Sequence, residues 1–352
     1  MTEELQNNND QLEEEALYER KVYLIDGGQQ PLRIDKWMQA RIEHATRSKI
    51  QKGIEAGFLT VNGKNIKSNY KVRPGDEIVW LSYTNPEYSE IKPEPMALEI
   101  VYEDDAVMVI NKEAGIVVHP GVGHYTGTLL NGVAHHLIQQ NPDINDEALP
   151  RFGLVHRIDK NTTGLIVLAK TAEAASKLAR QFFDHTVTRK YLAVVWGNME
   201  ENEGTINVHI ARHERQRKMF TTYPEGDKGK HAITHYKVVQ QLNYVTVVEC
   251  ILETGRTHQI RVHMKSIGHT LFNDAEYGGD RILKGTIYTK YKQFVENCFG
   301  LCPRCALHAK TLGFDHPVTG ERMFFDSPLP SDMAALIDKW SHYIQHRPLE
   351  SE

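Results

Sequence analysis

A polar loop lies directly before an apolar run near the middle of the chain. Residues 153–164 read GLVHRIDKNTTG and continue into the apolar run GLIVLAK. The loop places an imidazole, a guanidinium and a carboxylate within four positions, at His156, Arg157 and Asp159. A carboxylate near fixed positive charge is a candidate for chemistry because that charge keeps it ionised. A lone Asp in a loop is more often a turn former or a helix cap, so the loop by itself leaves both interpretations open.

Three cysteines form a second pattern with chemical potential. Cys298, Cys302 and Cys305 have the spacing C-x3-C-x2-C, by which radical enzymes hold a four-iron cluster, and they could equally bind zinc with His308 or His269. Radical enzymes carry this motif early in a repeated βα barrel, whereas here it follows residue 295. A motif counts only in its expected context, so we expect no metal and no other cofactor. In a cytoplasmic chain we also expect no disulfides.

The elements that must position these residues alternate irregularly after Leu98. Strand-like apolar runs are AVMVINK, GLIVLAK, KYLAVVWG, AITHYKVVQQ and YVTVVECIL, while TAEAASKLARQFFDH and SDMAALIDKWSHYIQ have helical periodicity. Several strands follow each other directly, which predicts an α+β domain with a mixed, largely antiparallel sheet. Neither G-x-G-x-x-G nor G-x-x-x-x-G-K-[ST] occurs, so a nucleotide-cofactor domain is not supported.

The composition of the 352 residues is that of a soluble globular protein, with 40% hydrophobic and 25% charged positions. This length predicts two or three domains. No apolar run approaches the roughly 20 residues that cross a bilayer, and the acidic N-terminus does not resemble a secretory signal. We therefore expect a cytoplasmic protein without a membrane partner.

The formal net charge of −5 is unevenly distributed. Residues 1–20 carry a net charge of −6, which leaves the other 332 residues at +1. Such an acidic block is most simply a disordered tail. Residues 31–80 hold ten basic and five acidic side chains, a local charge of +5. A nucleic-acid partner, which the total charge counts against, is therefore a local prediction for this segment.

A small N-terminal domain is predicted around that basic segment. Apolar positions recur at helical spacing over residues 32–42 and 50–58, with Thr46 and Ser48 as caps for the second helix. The stretches LTVNGKNI and VRPGDEIVW read as short strands with turns. We expect an acidic tail at 1–20, the small domain at 21–82, an extended Pro-containing linker at 83–97 and a large domain at 98–352.

The small domain resembles the RNA-binding module first described in a small-subunit ribosomal protein. The resemblance rests on RIDKW, ATRSKIQKGIEAGFLTVNG and VRPGDEI and covers about 50 residues. It implies an α/β domain whose two helices and following turn present basic side chains to structured RNA. The residues that it nominates are Arg33, Arg47, Lys49, Lys52 and Lys64.

The large domain resembles the RluA family of RNA pseudouridine synthases. HRIDKNTTG matches the HRLDxxTSG loop of that family, and five further stretches follow in family order: YEDDAVMVINKEAGIVVHPG, RKYLAVVWG, GKHAITHY, GRTHQIRVHMKSIGHTLFNDAEYGG and ALHAKTLGFDHPVTGE. With the small domain the match extends from about residue 20 to 345. It is nearest to the type that acts on large-subunit ribosomal RNA, the D type. It implies the pseudouridine synthase fold for the large domain.

The resemblance also implies a reaction and roles for three residues. Making pseudouridine breaks the bond between N1 of uracil and C1′ of ribose, turns the base and joins its C5 to C1′, without a cofactor. Asp159 is implied as the essential carboxylate, Arg261 as its ion-pair partner, and Tyr191 as the ring that stacks on the uracil. The carboxylate could add to C6, attack C1′ or remove the 2′ proton, and the sequence leaves these routes open.

Further residues are implied around the flipped-out nucleotide that this chemistry requires. Leu307 would form an apolar wall beneath the base, and Arg157 would fill the gap left in the RNA. His156 is expected to support the loop by hydrogen bonding. Weaker candidates for holding the RNA backbone are Lys112, His119, Arg256 and residues 212–218. Asn273 stands where the family usually has Gly, a departure that concerns turn geometry.

Three functional hypotheses follow from these patterns. The first is a stand-alone synthase that modifies uridines of large-subunit ribosomal RNA, as a monomer, on free RNA or on an assembling large ribosomal particle. The second is the same chemistry on transfer RNA. The third is a non-catalytic RNA-binding or ribosome-assembly protein in which the charged loop only makes contacts.

Overall fold

The structure, a computed structural model, describes residues 18–42, 46–83, 91–121, 123–145, 149–216, 219–286 and 288–346. Most of the acidic tail, residues 1–17, lies outside the described residues. So do residues 84–90 of the predicted linker, and Arg217 and Lys218 among the weaker RNA-binding candidates.

The N-terminal part forms a four-stranded antiparallel sheet with two short helices. Its strands are β1 (Tyr18–Leu24), β2 (Leu59–Val61), β3 (Lys64–Asn65) and β4 (Glu77–Tyr83), in the order β1-β4-β2-β3, and its helices are α1 (Ile34–Gln39) and α2 (Arg47–Glu55). The hydroxyl of Thr46 accepts a hydrogen bond from the Lys49 amide and caps α2, as the sequence predicts. Trp37, Ile50 and Ile54 are buried beneath the sheet.

The first strand begins inside the segment predicted to be a disordered tail. Tyr18 pairs with Tyr83 and Arg20 with Leu81 along the edge of the sheet. Residues 18–20 are therefore strand rather than tail, because their backbone groups pair with β4. The acidic composition of residues 1–20 conceals this start, since Glu19 points from an edge strand where charge is tolerated.

The C-terminal part is built on one ten-stranded sheet. Its strands are β5 (Ile100–Glu103), β6 (Val107–Lys112), β7 (Thr163–Ala169), β8 (Thr188–Trp196), β9 (Glu203–Arg212), β10 (Phe220–Tyr223), β11 (Lys230–Leu242), β12 (Val245–Leu252), β13 (Leu307–Asp315) and β14 (Arg322–Asp326). The order is β10-β9-β11-β12-β8-β13-β7-β6-β5, with β14 paired to β13. Only β7 and β13 pair in parallel among the described strands. The prediction of a mixed, largely antiparallel α+β domain is confirmed.

Within the described ranges, five α-helices accompany this sheet: α3 (Leu129–Gln140), α4 (Ala172–Phe183), α5 (Gln259–Ser266), α6 (Thr289–Leu301) and α7 (Ser331–Gln345). Helix α6 lies between α5 and β13 in the chain. It packs with α7 around Trp196, Phe272 and Trp340 to form a second apolar core. Among the described residues, no helix is both long and apolar enough to cross a membrane.

The two parts of the molecule contact each other through α4. Arg180 of α4 donates a hydrogen bond to the carbonyl of Gly57 over 3.2 Å. At the end of the same helix, the ring of Phe183 lies 5.1 Å from the Arg20 guanidinium of β1. Helix α4 therefore places the small sheet beside the strand that follows the polar loop.

Candidate active site

The polar loop runs into β7 at a point where only glycine fits. Gly164 has a φ of +111°, and a Cβ atom there would lie 2.3 Å from the carbonyl oxygen of Ala309 on β13. The parallel pairing of β7 with β13 brings these two backbones together at the mouth of the loop. A glycine after the HRIDKNTT sequence is therefore required for the loop to enter the sheet at this angle.

A buried lysine holds the loop from one side. The Nζ atom of Lys112 donates to the carbonyl oxygens of Glu113, Ile116 and Lys160 over 2.7, 2.9 and 3.1 Å. Lys112 is only 1% exposed, and burial lowers its pKa to about 7. This geometry differs from the phosphate contact expected from the sequence, because all three donors of the ammonium group face backbone carbonyls. The apolar residues before Lys112 in AVMVINK gave no indication that its side chain is buried against backbone carbonyls.

A charged cluster centred on Arg261 faces the loop. Arg261 lies in the first turn of α5 and donates to Asp159 over 3.2 Å from Nη1. Its Nε and Nη2 atoms donate to the two carboxylate oxygens of Asp274 over 2.7 and 2.8 Å, and Nη2 also contacts Glu276. The fork of Asp274 fixes the plane of the guanidinium and leaves Nη1 directed at Asp159.

The Asp159 carboxylate is partly open to solvent, with 22% of its side chain exposed. Burial by itself would raise its pKa, but the charges of His258, Arg261 and Arg157 and the hydrogen bond from Arg261 outweigh that effect. The pKa therefore lies below the ordinary carboxyl value. Because burial also lowers the pKa of His258, the permanent positive charge that touches Asp159 at neutral pH is Arg261. The site holds an ionised carboxylate in reach of solvent.

His258 belongs to this cluster and was not nominated from the sequence. It precedes α5 with a left-handed φ of +55°, and its Nε2 lies 4.0 Å from Asp159 Oδ2. Its Nδ1 lies 2.9 Å from the Tyr277 hydroxyl. The only signal in the sequence was its position three residues before Arg261 in GRTHQIR. The start of α5 therefore places both His258 and Arg261 beside the loop.

Tyr191 and Leu307 lie on neighbouring strands beside the loop. Tyr191 on β8 pairs with Ala309 on β13, and Ala193 pairs with Leu307, so both side chains lie on one face of the sheet. Tyr191 is 7% exposed and Leu307 is 4% exposed. Burial raises the pKa of Tyr191, with a smaller contribution from Asp159 in the same direction. The Tyr191 hydroxyl makes no hydrogen bond within the described part of the chain.

His156 and Arg157 point into different surroundings. The Nε2 atom of His156 accepts a hydrogen bond from the Val167 amide over 3.0 Å, and its ring stacks on Phe182 at 4.4 Å. Burial lowers the pKa of His156 to about 3, so the ring ties the loop to β7 as a neutral group. Arg157 is partly exposed and makes no hydrogen bond or ion pair with the described residues. It is free to contact a ligand at the rim.

The weaker candidates are scattered around this site. His119 is buried, and burial together with Arg157 and Arg151 lowers its pKa to about 3. Arg256 donates to the carbonyl of His231 over 3.1 Å at the edge of α5. Arg212 ends β9, and its guanidinium lies 5.6 Å from the centre of the Phe220 ring. These three side chains therefore have different surroundings.

In the small domain, a buried carboxylate organises two of the nominated arginines. Asp35 is fully buried, and it accepts hydrogen bonds from Arg33, Arg47 and Gln51. Burial would raise the pKa of Asp35, but these hydrogen bonds lower it well below the usual range. Lys49, Lys52 and Lys64 are exposed on α2 and on β3. The domain therefore presents a basic outer surface around a buried anion.

The three cysteines of the C-x3-C-x2-C pattern do not converge on a metal site. Cys298, Cys302 and Cys305 are free and buried. Burial raises the pKa of Cys298 and of Cys302 to about 12. Within the described ranges no group of three or more His, Cys, Asp or Glu residues could hold a metal ion. Cys305 instead donates to Asp274 over 3.5 Å and so lines the Arg261 cluster.

Asn273 shows how the chain keeps a turn where the family that it resembles usually has glycine. Its φ is +57°, in the left-handed region that asparagine tolerates. Its Nδ2 donates to the carbonyl oxygens of Cys302 and Phe299 over 2.7 and 3.2 Å. The turn before Asp274 is therefore preserved, with the end of α6 held against it.

Comparisons with known proteins agree with this architecture. The family model of the RNA pseudouridylate synthases matches residues 106–266, and the model of the S4 domain matches residues 32–78. Two solved human structures, RNA pseudouridylate synthase domain containing 4 and 1, are 22% and 24% identical to the chain, with TM-scores of 0.54 and 0.50. They cover 69% and 73% of this chain, and 92% and 100% of their own chains are matched. These likenesses establish the fold: a pseudouridine synthase domain behind an S4 domain.

More similar sequences define the family. An uncharacterised RNA pseudouridine synthase of Chlorobaculum parvum is 46% identical over 88% of this chain and 94% of its own length. The ribosomal large subunit pseudouridine synthase D of Pseudomonas aeruginosa is 41% identical over 88% of this chain and 92% of its own. The chain belongs to the RluA family of RNA pseudouridine synthases and is an enzyme of that class.

Proposed function

We propose that the enzyme converts specific uridines of large-subunit ribosomal RNA to pseudouridine, with Asp159 as the essential carboxylate. The RNA class rests on the relative from Pseudomonas aeruginosa, which is named for the large ribosomal subunit. The role of Asp159 rests on one observation above all, its 3.2 Å hydrogen bond from the buried Arg261 in a partly open pocket. We place the reaction in the cytoplasm, on free RNA or on an assembling large particle.

An ionised carboxylate is what each conceivable route requires. Addition to C6, attack on C1′ and removal of the 2′ proton all begin from the anionic form of Asp159. Arg261 supplies fixed positive charge, so the carboxylate is ionised at neutral pH in a pocket that excludes much of the water. Over the whole reaction C5 loses one proton and N1 gains one. The isomerisation is therefore balanced without an external group.

Tyr191 and Leu307 are suited to hold the detached base. The uracil lies between the Tyr191 ring and the apolar wall that includes Leu307, which lets it turn without leaving the pocket. Because burial raises the pKa of Tyr191, its hydroxyl stays protonated at neutral pH and relays the C5 proton as a neutral group. Arg157, without a partner in the described chain, occupies the space of the flipped nucleotide.

In this proposal the S4 domain provides the side chains that bind RNA. Lys49, Lys52 and Lys64 are exposed, and Asp35 holds the guanidinium groups of Arg33 and Arg47 at the same surface. Contacts of Lys and Arg with phosphate position a protein on RNA without reading its sequence. The choice of uridine then depends on RNA shape around the pocket.

Replacement of Asp159 by Asn tests the catalytic role directly. We expect D159N to keep its affinity for large-subunit ribosomal RNA and to lose pseudouridine formation, measured as tritium release from RNA that carries 5-tritiated uridine. The matched control is D105N, since Asp105 is an exposed aspartate outside the cluster. Full activity of D159N would refute the role of the carboxylate.

The substrate is tested separately by mapping pseudouridines in total RNA from a deletion strain. We expect sites to be lost from large-subunit ribosomal RNA and restored by the wild-type gene but not by D159N. Loss of sites from transfer RNA alone would overturn the proposed substrate while leaving the chemistry intact. Comparison of free RNA with immature large particles as substrates then identifies the form that the enzyme modifies.

A further inference from the structure

A second buried arginine contacts the backbone of the loop that carries Asp159. Arg304 precedes β13 and is 7% exposed. Its Nη1 donates to the carbonyl oxygens of Asn161 and Leu307 over 3.0 Å and of Cys305 over 3.2 Å. Its Nη2 lies 3.3 Å from the Thr163 hydroxyl. One guanidinium therefore contacts the loop two residues after Asp159, the first residue of β7 and the first residue of β13.

The other edge of the same guanidinium is fixed by the C-terminal helix. Nε and Nη2 of Arg304 donate to the two oxygens of Asp332 over 2.7 and 3.0 Å. Asp332 lies in the first turn of α7 and also accepts from the Met333 amide over 2.7 Å. A bidentate pair sets the plane of the arginine as well as its position. The helix is thereby linked through Arg304 to the backbone of the Asp159 loop.

We propose that Arg304, held by Asp332, is a positioning residue that places the Asp159 carboxylate against Arg261. All three nitrogen atoms of the guanidinium donate to groups within the fold, and its side chain is 5% exposed, so it is not directed at RNA. It acts through Asn161 and Thr163, which follow Asp159 at the end of the loop and at the start of β7. The inference rests on the proposed catalytic role of Asp159.

Loss of this contact is expected to move the carboxylate rather than to weaken RNA binding. Without Arg304, the Asn161 carbonyl loses its donor and the loop can shift by a fraction of an ångström. Displacement on the 1 Å scale lowers rates by about 100-fold even when binding is intact. We therefore expect R304Q to lower kcat by about 10- to 100-fold and to leave KM for the RNA unchanged.

The pH profile separates a positioning role from a merely structural one. The charged and titratable groups that act on Asp159 are Arg157, His258, Arg261, Lys112 from β6, Tyr191 from β8 and Cys305, which precedes β13. If the carboxylate moves away from Arg261, its pKa rises toward the ordinary value, and the acid limb of kcat moves to higher pH. A smaller folded fraction would lower kcat at every pH without moving that limb.

The experiment compares R304Q, R304K and D332N in the full-length enzyme, with tritium release from 5-tritiated large-subunit ribosomal RNA as the readout. R304K keeps the charge but cannot hold Asp332 and Asn161 together, so we expect no rescue. D332N retains one acceptor for the fork and should shift the acid limb in the same direction by a smaller amount. D332N also tests the positioning role if R304Q does not fold.

The matched control is R322Q. Arg322 on β14 is also hydrogen-bonded, to Thr186, Thr188 and Asp315, but it does not contact the loop. We expect its kcat and acid limb to equal those of the wild type. An unshifted acid limb and unchanged kcat in R304K and D332N would overturn the positioning role. The proposed function would then still stand if D159N is inactive, whereas an active D159N would refute that proposal whatever Arg304 does.

Discussion

The S4 domain and the Arg261 cluster each contain a buried charge that is surrounded by opposite charges, but the sign of the buried charge differs between them. In the S4 domain a buried carboxylate, Asp35, is surrounded by Arg33 and Arg47, whose side chains remain 38% and 43% exposed. In the pocket a buried guanidinium, Arg261, is surrounded by Asp159, Asp274 and Glu276. The first arrangement places positive charge at the surface, where phosphate groups can bind. The second keeps the cation inside and leaves the Asp159 carboxylate partly exposed to solvent.

The contrast teaches that burial, more than residue type, decides what a basic side chain does in this chain. Lys112 and Arg304 are basic residue types like Lys49 and Lys64, yet both are buried and donate to backbone carbonyls of the loop. A buried cation that lost its acceptors would have a large desolvation cost. These two side chains therefore have a structural role. The exposed lysines have no such constraint. Chemistry and RNA affinity should therefore be separable by mutation.

The largest effect is expected from Arg261→Lys. A lysine keeps the charge but cannot span Asp274 and Asp159 with fixed geometry, so the carboxylate loses its hydrogen bond. We expect kcat to fall by about 100-fold or more, the range found when an electrostatic contact of the transition state is removed. The pKa of Asp159, now below its ordinary value, should rise, so activity is lost at higher pH as the solution is acidified.

Rate measurements across pH with single turnovers provide the check for Arg261→Lys. The comparison variant is R322K, because Arg322 is exposed and forms an ion pair with Asp315 far from the loop. RNA affinity of R261K should match that of the wild type. If affinity fell and kcat did not, the pocket cation would be a binding residue and the contrast between the two regions would be wrong.

A smaller and opposite effect is expected from removing the exposed lysines of the S4 domain. The triple variant Lys49→Gln, Lys52→Gln and Lys64→Gln should bind RNA more weakly and keep kcat at saturating RNA. Since each phosphate contact releases about one counterion, the slope of log affinity against log salt should decrease by about 2 to 3. Binding titrations between about 50 and 200 mM salt measure this slope.

Three lysines of the catalytic domain give a charge-matched comparison for this variant. Lys237 on β11 and Lys290 on α6 are exposed, and Lys339 on α7 is partly exposed. Their replacement by Gln removes the same total charge, so it reports the nonspecific effect of net charge on RNA affinity. Equal salt slopes for the two triple variants would show that the S4 surface has no special part in holding RNA.

Much of the fold was accessible from the sequence, whereas the support of the site was not. Apolar runs predicted β6, β7, β8 and β12 because buried strands need a continuous set of apolar side chains. The Asp159 loop was found through a motif resemblance. Arg304 and Asp332 lie 28 residues apart and carry no local pattern, since their pairing exists only after β13 and α7 pack together. Burial of Lys112 was equally invisible, because a lysine at the end of a strand usually faces solvent.

The smallest effect is expected from a deletion of the acidic N-terminus, and the start of β1 defines where this deletion should end. Residues 1–17 contain six acidic residues and no basic one, while β1 starts at Tyr18 and pairs along seven positions with β4. Deleting 1–17 removes like charge that competes with phosphate for the basic surface, so RNA affinity should stay equal or rise at low salt, with kcat unchanged. The difference should vanish at high salt because screening removes such long-range competition.

Deleting residues 1–24 is the informative counterpart, because it also removes β1 and exposes the edge of β4. We expect this longer deletion to lower the thermal stability of the S4 domain and to weaken RNA binding, while the 1–17 deletion does neither. Unfolding followed by tryptophan fluorescence reports the difference, since Trp37 and Trp80 are buried in that domain. If the shorter deletion weakened binding as much as the longer one, the acidic segment would itself take part in holding RNA, and charge alone would not describe the N-terminal region.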